Sequence, residues 1–61
     1  MNTEETLQLI FVSDILANYK IIPSYSYIDL RVKLQTDEDF VRLLKAYKTL
    51  LTIGDIKWLL K

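Results

Sequence analysis

The apolar side chains of residues 37–51 recur with the period of an α-helix. They fall within an arc of about 120° on a helical wheel, and this arc holds Phe40, Leu43, Leu44, Tyr47, Leu50 and Leu51. Acidic residues occupy positions 37–39 and basic residues follow them, which is the order that the helix dipole favours. Because such a stripe must be buried against other parts of a fold, the chain is predicted to form a folded helical domain.

Four further signals mark predicted helix starts. In each, a small polar residue precedes an acidic residue by three positions, so that the first side chain can accept a hydrogen bond from a free backbone N–H and the acid faces the positive helix end. These pairs are Asn2 and Glu5, Ser26 and Asp29, Thr36 and Asp39, and Thr52 and Asp55. The sequence therefore predicts a single all-α domain over residues 1–61, a small bundle of three to four helices at about residues 3–20, 26–34, 37–51 and 53–61.

The first predicted helix is apolar over most of its circumference. Leu7, Phe11, Ile15 and Tyr19 line up on one face, and Leu9, Val12 and Leu16 widen it. An arc this broad indicates contact on two sides of the helix, with the rest of the chain and with a partner.

Residues 28–34 alternate between apolar and polar side chains, a pattern typical of a half-buried strand. A lone strand leaves a row of backbone groups unpaired, so a strand here is expected mainly in a dimer that pairs it with its own copy. In a monomer-like fold the same residues are expected to be helical. The pattern alone leaves both alternatives open.

The missing residue types exclude several classes of function. The chain has 61 residues, no cysteine, no histidine and one glycine. Disulfides, thiolate or histidine metal sites, histidine-based catalysis and phosphate-binding glycine loops are therefore not expected. Eight basic residues balance eight acidic ones, so no net field attracts nucleic acid or an acidic membrane. The sequence predicts no enzyme, no cofactor and no metal.

The short length of the chain favours association with other proteins. A chain of this size buries only about 60% of its unfolded surface, and oligomerisation is one remedy for the resulting marginal stability. We expect a homo-oligomer, located in the cytoplasm, because the acidic N-terminus is unlike a signal peptide and no apolar stretch approaches the roughly 20 residues of a membrane span. The interface candidates are Phe11, Val12, Leu16, Tyr25, Tyr27 and Trp58.

Residues 28–34, followed by TDEDFVRLLKAY, resemble the opening of ribbon-helix-helix repressors. In that family an alternating strand pairs with the strand of a second chain, and its polar residues enter the DNA major groove. The resemblance implies Arg31 and Lys33 as DNA contacts, next to Asp29, whose negative charge opposes such binding. The resemblance extends over residues 28–60, just over half of the chain. A dimeric DNA-binding repressor is therefore the alternative function.

The favoured function is that of a non-enzymatic interaction or regulatory module that binds a protein partner. Absent catalytic groups, small size and excess apolar side chains all favour it. The composition, rich in Ile, Lys and Tyr, also resembles that of small accessory proteins of phages and AT-rich bacteria.

Overall fold

The computed structural model describes the backbone of residues 2–53 and the side chains of residues 2–51. Three helices follow one another: α1 (Thr3–Asn18), α2 (Tyr27–Thr36) and α3 (Glu38–Ile53). Between residues 2 and 53 there is no strand, which confirms the prediction of an all-α fold. The observed helix ends lie within two residues of the predicted ones for these three helices.

The segment that was ambiguous in sequence is helical, so the strand predicted as the alternative for residues 28–34 is wrong. Its alternating pattern consists of two pairs of apolar residues, each spaced by one helical turn. Leu30 and Leu34 are buried, whereas Ile28 and Val32 face away from the core and are 74% and 53% exposed. Alternating apolar and polar residues over seven positions are thus also compatible with a short helix that has apolar side chains on two faces.

Only part of the broad apolar arc predicted for α1 is buried. Leu9, Val12 and Leu16, which were expected to widen that arc, are buried together with Ser13. Leu7 and Phe11, at one end of the arc, are 59% and 64% exposed.

Helix α1 ends two residues before the predicted end, at a turn in which Lys20 has a φ of 60°. The N–H of Ile21 donates to the carbonyl of Leu16 over 2.9 Å, and the N–H of Lys20 donates to the carbonyl of Ala17 over 3.0 Å. This pair of bonds is the Schellman arrangement, in which the left-handed position is usually occupied by glycine. The turn redirects the chain towards α2.

Two of the predicted helix caps are confirmed and one is shifted. Asn2 Oδ1 accepts from the N–H of Glu5 over 2.7 Å, and Ser26 Oγ accepts from the N–H of Asp29 over 3.2 Å. The cap predicted at Thr36 is wrong, because Thr36 is the last residue of α2 and its hydroxyl donates to the carbonyl of Val32. Its neighbour Asp37 caps α3 instead.

Helix α3 packs against both α1 and α2 and provides the centre of the core. Leu44 has no exposed surface, and Phe40 is also buried. They join the buried leucines and valine of the first two helices, which are Leu9, Val12, Leu16, Leu30 and Leu34.

The fourth predicted helix falls only partly within the described residues. Thr52 and Ile53 belong to α3, so the helix start predicted at Thr52 is wrong. The remaining residues of that predicted helix, 54–61, lie outside the described residues.

Candidate functional site: the outer surface of the first two helices

Large apolar side chains face outward from both α1 and α2. We call the surface formed by Leu7, Phe11, Tyr27, Ile28 and Val32 the α1–α2 surface. All five side chains are more than half exposed. Leu7 and Phe11 lie one turn apart on α1, and Ile28 and Val32 lie one turn apart on α2. Each helix therefore presents a pair of large apolar side chains to solvent among its exposed polar residues.

A groove separates the two helices where this surface crosses from one to the other. It has a volume of about 560 Å³. Leu7 and Ile10 line it from α1, and Tyr27, Arg31 and Leu34 line it from α2. The guanidinium of Arg31 lies 5.7 Å from the ring centroid of Tyr27, a cation–π contact that holds the positive charge at the edge of the groove. Thr3, Thr6 and Gln35 also line the groove, so its walls are part polar and part apolar, with one cation at the edge.

The charges beside the α1–α2 surface differ between its two helices, since α2 carries Asp29 as well as Arg31 and Lys33. Every charged residue of α1 is acidic: Glu4, Glu5 and Asp14. Lys45 of α3 binds Glu5 through an ion pair of 3.0 Å, and this contact holds the pKa of the Glu5 carboxyl below its usual range. Among residues 2–51, Glu4, Asp14 and Arg31 form no salt bridge. These three charges thus remain available to a partner.

Lys33, a DNA contact under the ribbon-helix-helix alternative, is bound within the fold. Its Nζ lies 3.2 Å from Asp37 Oδ2, 5.5 Å from the ring centroid of Tyr25 and 5.3 Å from that of Phe40. The Tyr25 and Phe40 rings meet edge to face, with centroids 5.5 Å apart. This cluster joins the segment before α2 to the start of α3.

Asp37 connects that cluster to the helix cap. Its Oδ1 accepts from the N–H of Phe40 over 3.0 Å while Oδ2 binds Lys33. The bond from Phe40 and then the Lys33 ammonium hold the pKa of the Asp37 carboxyl below its usual range. Arg31 and Lys33 make these separate contacts on a helix, so they do not form the row along a strand that the alternative requires.

The predicted interface residues divide between surface and core. Phe11 and Tyr27 belong to the α1–α2 surface, and Tyr25 is half-buried against Phe40. Val12 and Leu16 are buried in the chain's own core, so they offer no surface to a partner. Trp58 lies outside the described residues.

Sequence reasoning missed three members of the α1–α2 surface: Leu7, Ile28 and Val32. Leu7 was placed in the broad apolar arc of α1 without being named as an interface candidate, and the other two lay in the segment left open between strand and helix. The spacing of Ile28 and Val32 by four residues is the signal that identifies them as one outer helix face.

Two serine hydroxyls of the described helices have structural surroundings. Ser13 is buried in α1, and Ser26 caps α2. In the part of the chain with described side chains, no group of three acidic residues is placed to hold a metal ion. None of the three described helices is long and apolar enough to cross a membrane.

Comparison with known proteins identifies no relative of this chain. No family of known proteins, no curated protein and no solved structure matches the chain significantly. The geometry of the α1–α2 surface is therefore the basis for the functional conclusion.

Proposed function

We propose that this protein is a small non-enzymatic interaction module that binds a protein partner through the α1–α2 surface. The observation that carries the proposal is the set of five large apolar side chains that face outward from two adjacent helices. Apolar side chains scattered singly over a surface need no explanation, but a contiguous group of them is typical of an interaction site.

The composition of this surface supports a protein partner. Aromatic residues are enriched at protein interfaces, where hot spots consist of large side chains in dry, well-packed surroundings. Phe11 and Tyr27 provide two such anchors, and the groove between Leu7 and Tyr27 provides a concave site beside them. In this role the chain acts as an accessory or regulatory protein in the cytoplasm.

The second function considered, a ribbon-helix-helix repressor, depends on a strand at residues 28–34. Those residues are helical, so the strand on which this function depends is absent from residues 28–34.

Photo-crosslinking from two positions tests the proposal. A photoreactive phenylalanine analogue replaces Phe11 in one variant and Arg42, an exposed residue of α3, in the control. In cells that make the protein, we expect the analogue at position 11 to form a covalent adduct with a protein chain and the analogue at position 42 to form none. No adduct at position 11, or equal adducts at both positions, contradicts the proposal.

A further inference from the structure

We infer that the partner on the α1–α2 surface is a second copy of this chain, with α1 of each copy packed against α2 of the other. This inference rests on the proposed function, because it names the protein that covers the same surface. The charges, the symmetry they permit and the area of the surface support it.

The outer stripe of α1 carries an acidic residue at each end of its apolar pair. Glu4, Leu7, Phe11 and Asp14 are spaced by three, four and three residues, so they lie along one side of the helix over about 15 Å. Glu4 and Asp14 have no basic partner among the residues with described side chains. This stripe is complementary to an apolar helix face that carries a positive charge.

The outer face of α2 has that character. Arg31 lies between the apolar residues Ile28 and Val32 in sequence and has no carboxylate partner within residues 2–51. The other charged residues of this helix, Asp29 and Lys33, border a separate cavity together with Tyr25, Val32 and Asp37. The side of α2 that borders the groove carries Tyr27, Leu34 and Gln35, with Arg31 as its one charge.

With two-fold symmetry, a second copy of the chain can cover both the acidic stripe of α1 and the Arg31 face of α2. In a symmetric dimer each surface patch meets its complement twice, so the acidic stripe of each α1 faces Arg31 of the other copy. Within one copy, Leu7 of α1 and Arg31 of α2 line the same groove, but Arg31 has no carboxylate partner among the residues with described side chains. A second copy supplies both complements at once.

The exposed area reaches the lower end of what a dimer requires. Five large side chains that are more than half exposed contribute at most roughly 600 Å² per copy, if each is counted at the 150–250 Å² of an aromatic side chain. Two copies would then cover about 1,200 Å², the lower end of the range for stable protein interfaces. We therefore expect a dimer of micromolar stability that is sensitive to single charges.

Sedimentation of the purified full chain tests the dimer. We expect the wild-type protein to sediment at twice 7.2 kDa at high micromolar concentration. Phe11→Asp, Arg31→Glu and the double variant Glu4→Lys/Asp14→Lys should each weaken the dimer by roughly tenfold or more, because each places a charge in an apolar contact or opposite a like charge. Arg42→Glu reverses a charge on α3 and should leave the dimer unchanged.

Mixing the two charge-reversed proteins tests the arrangement of the helices. In a heterodimer of Arg31→Glu with Glu4→Lys/Asp14→Lys, the acidic α1 faces the native Arg31 and the basic α1 faces Glu at position 31. We expect the equimolar mixture to recover the dimer that each variant alone has lost, with circular dichroism showing all variants to be folded.

Three results would overturn the inference: a monomeric wild-type chain, a dimer insensitive to all three substitutions, or a mixture that stays monomeric. The crosslink at position 11 separates this failure from that of the proposed function. An adduct with a different protein, together with a monomeric wild-type chain, leaves the proposed function standing and excludes the dimer. A crosslink from position 11 to residues 54–61 of the same chain excludes both the proposed function and the dimer.

Discussion

The Nζ atom of Lys45 lies 3.0 Å from Oε1 of Glu5, so an ion pair joins the middle of α3 to the first turn of α1. The ion pairs of Lys33 with Asp37 and of Arg42 with Asp39, by contrast, connect residues that are close in sequence. The Glu5–Lys45 pair is a tertiary contact, because it joins two different helices.

We expect Glu5→Gln to lower the free energy of unfolding slightly at pH 7 and by less near pH 3. The pKa of Glu5 is lower in the folded chain, first through the hydrogen bond from Lys45 and then through its charge. The carboxylate therefore stabilises the fold above its unfolded pKa, and this stabilisation is lost as the pH falls from about 5 through the folded pKa. Urea unfolding at both pH values measures the difference.

Glu4→Gln is the matched control, because Glu4 lies in the same turn and forms no salt bridge within the described part of the chain. A pH-dependent effect of equal size in both variants would show that the helix dipole, and not Lys45, is responsible.

Asp37→Ala should destabilise the protein more than Thr36→Ala does. Asp37 accepts hydrogen bonds from the backbone of Phe40 and from Lys33, whereas Thr36 only donates to the carbonyl of Val32. Asp37→Asn should lie between the two, since an amide oxygen can still cap the helix without binding Lys33 as strongly. Thermal unfolding at neutral pH ranks the three variants, and the opposite order for Asp37→Ala and Thr36→Ala would refute the observed cap.

Leu44→Ala should cost about 2–5 kcal/mol of stability, the usual range for a fully buried leucine. A chain of this length has roughly 3–9 kcal/mol in total, so the variant is expected to be largely unfolded near 37 °C. Leu43→Ala is the control, because its side chain is partly exposed and its loss should cost less than about 1 kcal/mol. Equal losses, measured by circular dichroism on heating, would contradict the described core.

Lys20→Gly should stabilise the protein by up to about 1 kcal/mol, because the left-handed conformation of Lys20 is unfavourable for a residue with a Cβ atom. Ala17→Gly, three residues earlier and within α1, should destabilise it by about 0.5–1 kcal/mol. Urea midpoints of the two variants should therefore move in opposite directions. A shift of both in the same direction would contradict the turn described here.

The signals that act within one helical turn could be read from the sequence. The caps at Asn2 and Ser26 were predicted correctly, because each depends on a side chain and an N–H three residues away. The cap of α3 was misplaced by one residue, since Thr36 and Asp37 are both good capping residues and only the spacing between two helices selects the second.

The buried face of α1 could not be read in the same way. Leu7 and Phe11 are as apolar as Leu9 and Leu16, so the composition of the helix does not choose between its sides. The side of α1 that is buried is determined by its contact with α3, and that contact joins residues distant in sequence. The α1–α2 surface was therefore predicted only in part, through Phe11 and Tyr27.

The order of the helices also affects how the chain behaves during its synthesis. Phe40 and Leu44, which cover the buried side chains of α1 and α2, are added only after both of those helices. A nascent chain that ends before α3 therefore exposes apolar side chains on both sides of α1, and such chains are prone to aggregation and are removed by proteases. We expect the docking of α3 to be the step that completes the core and covers the buried side chains of α1 and α2.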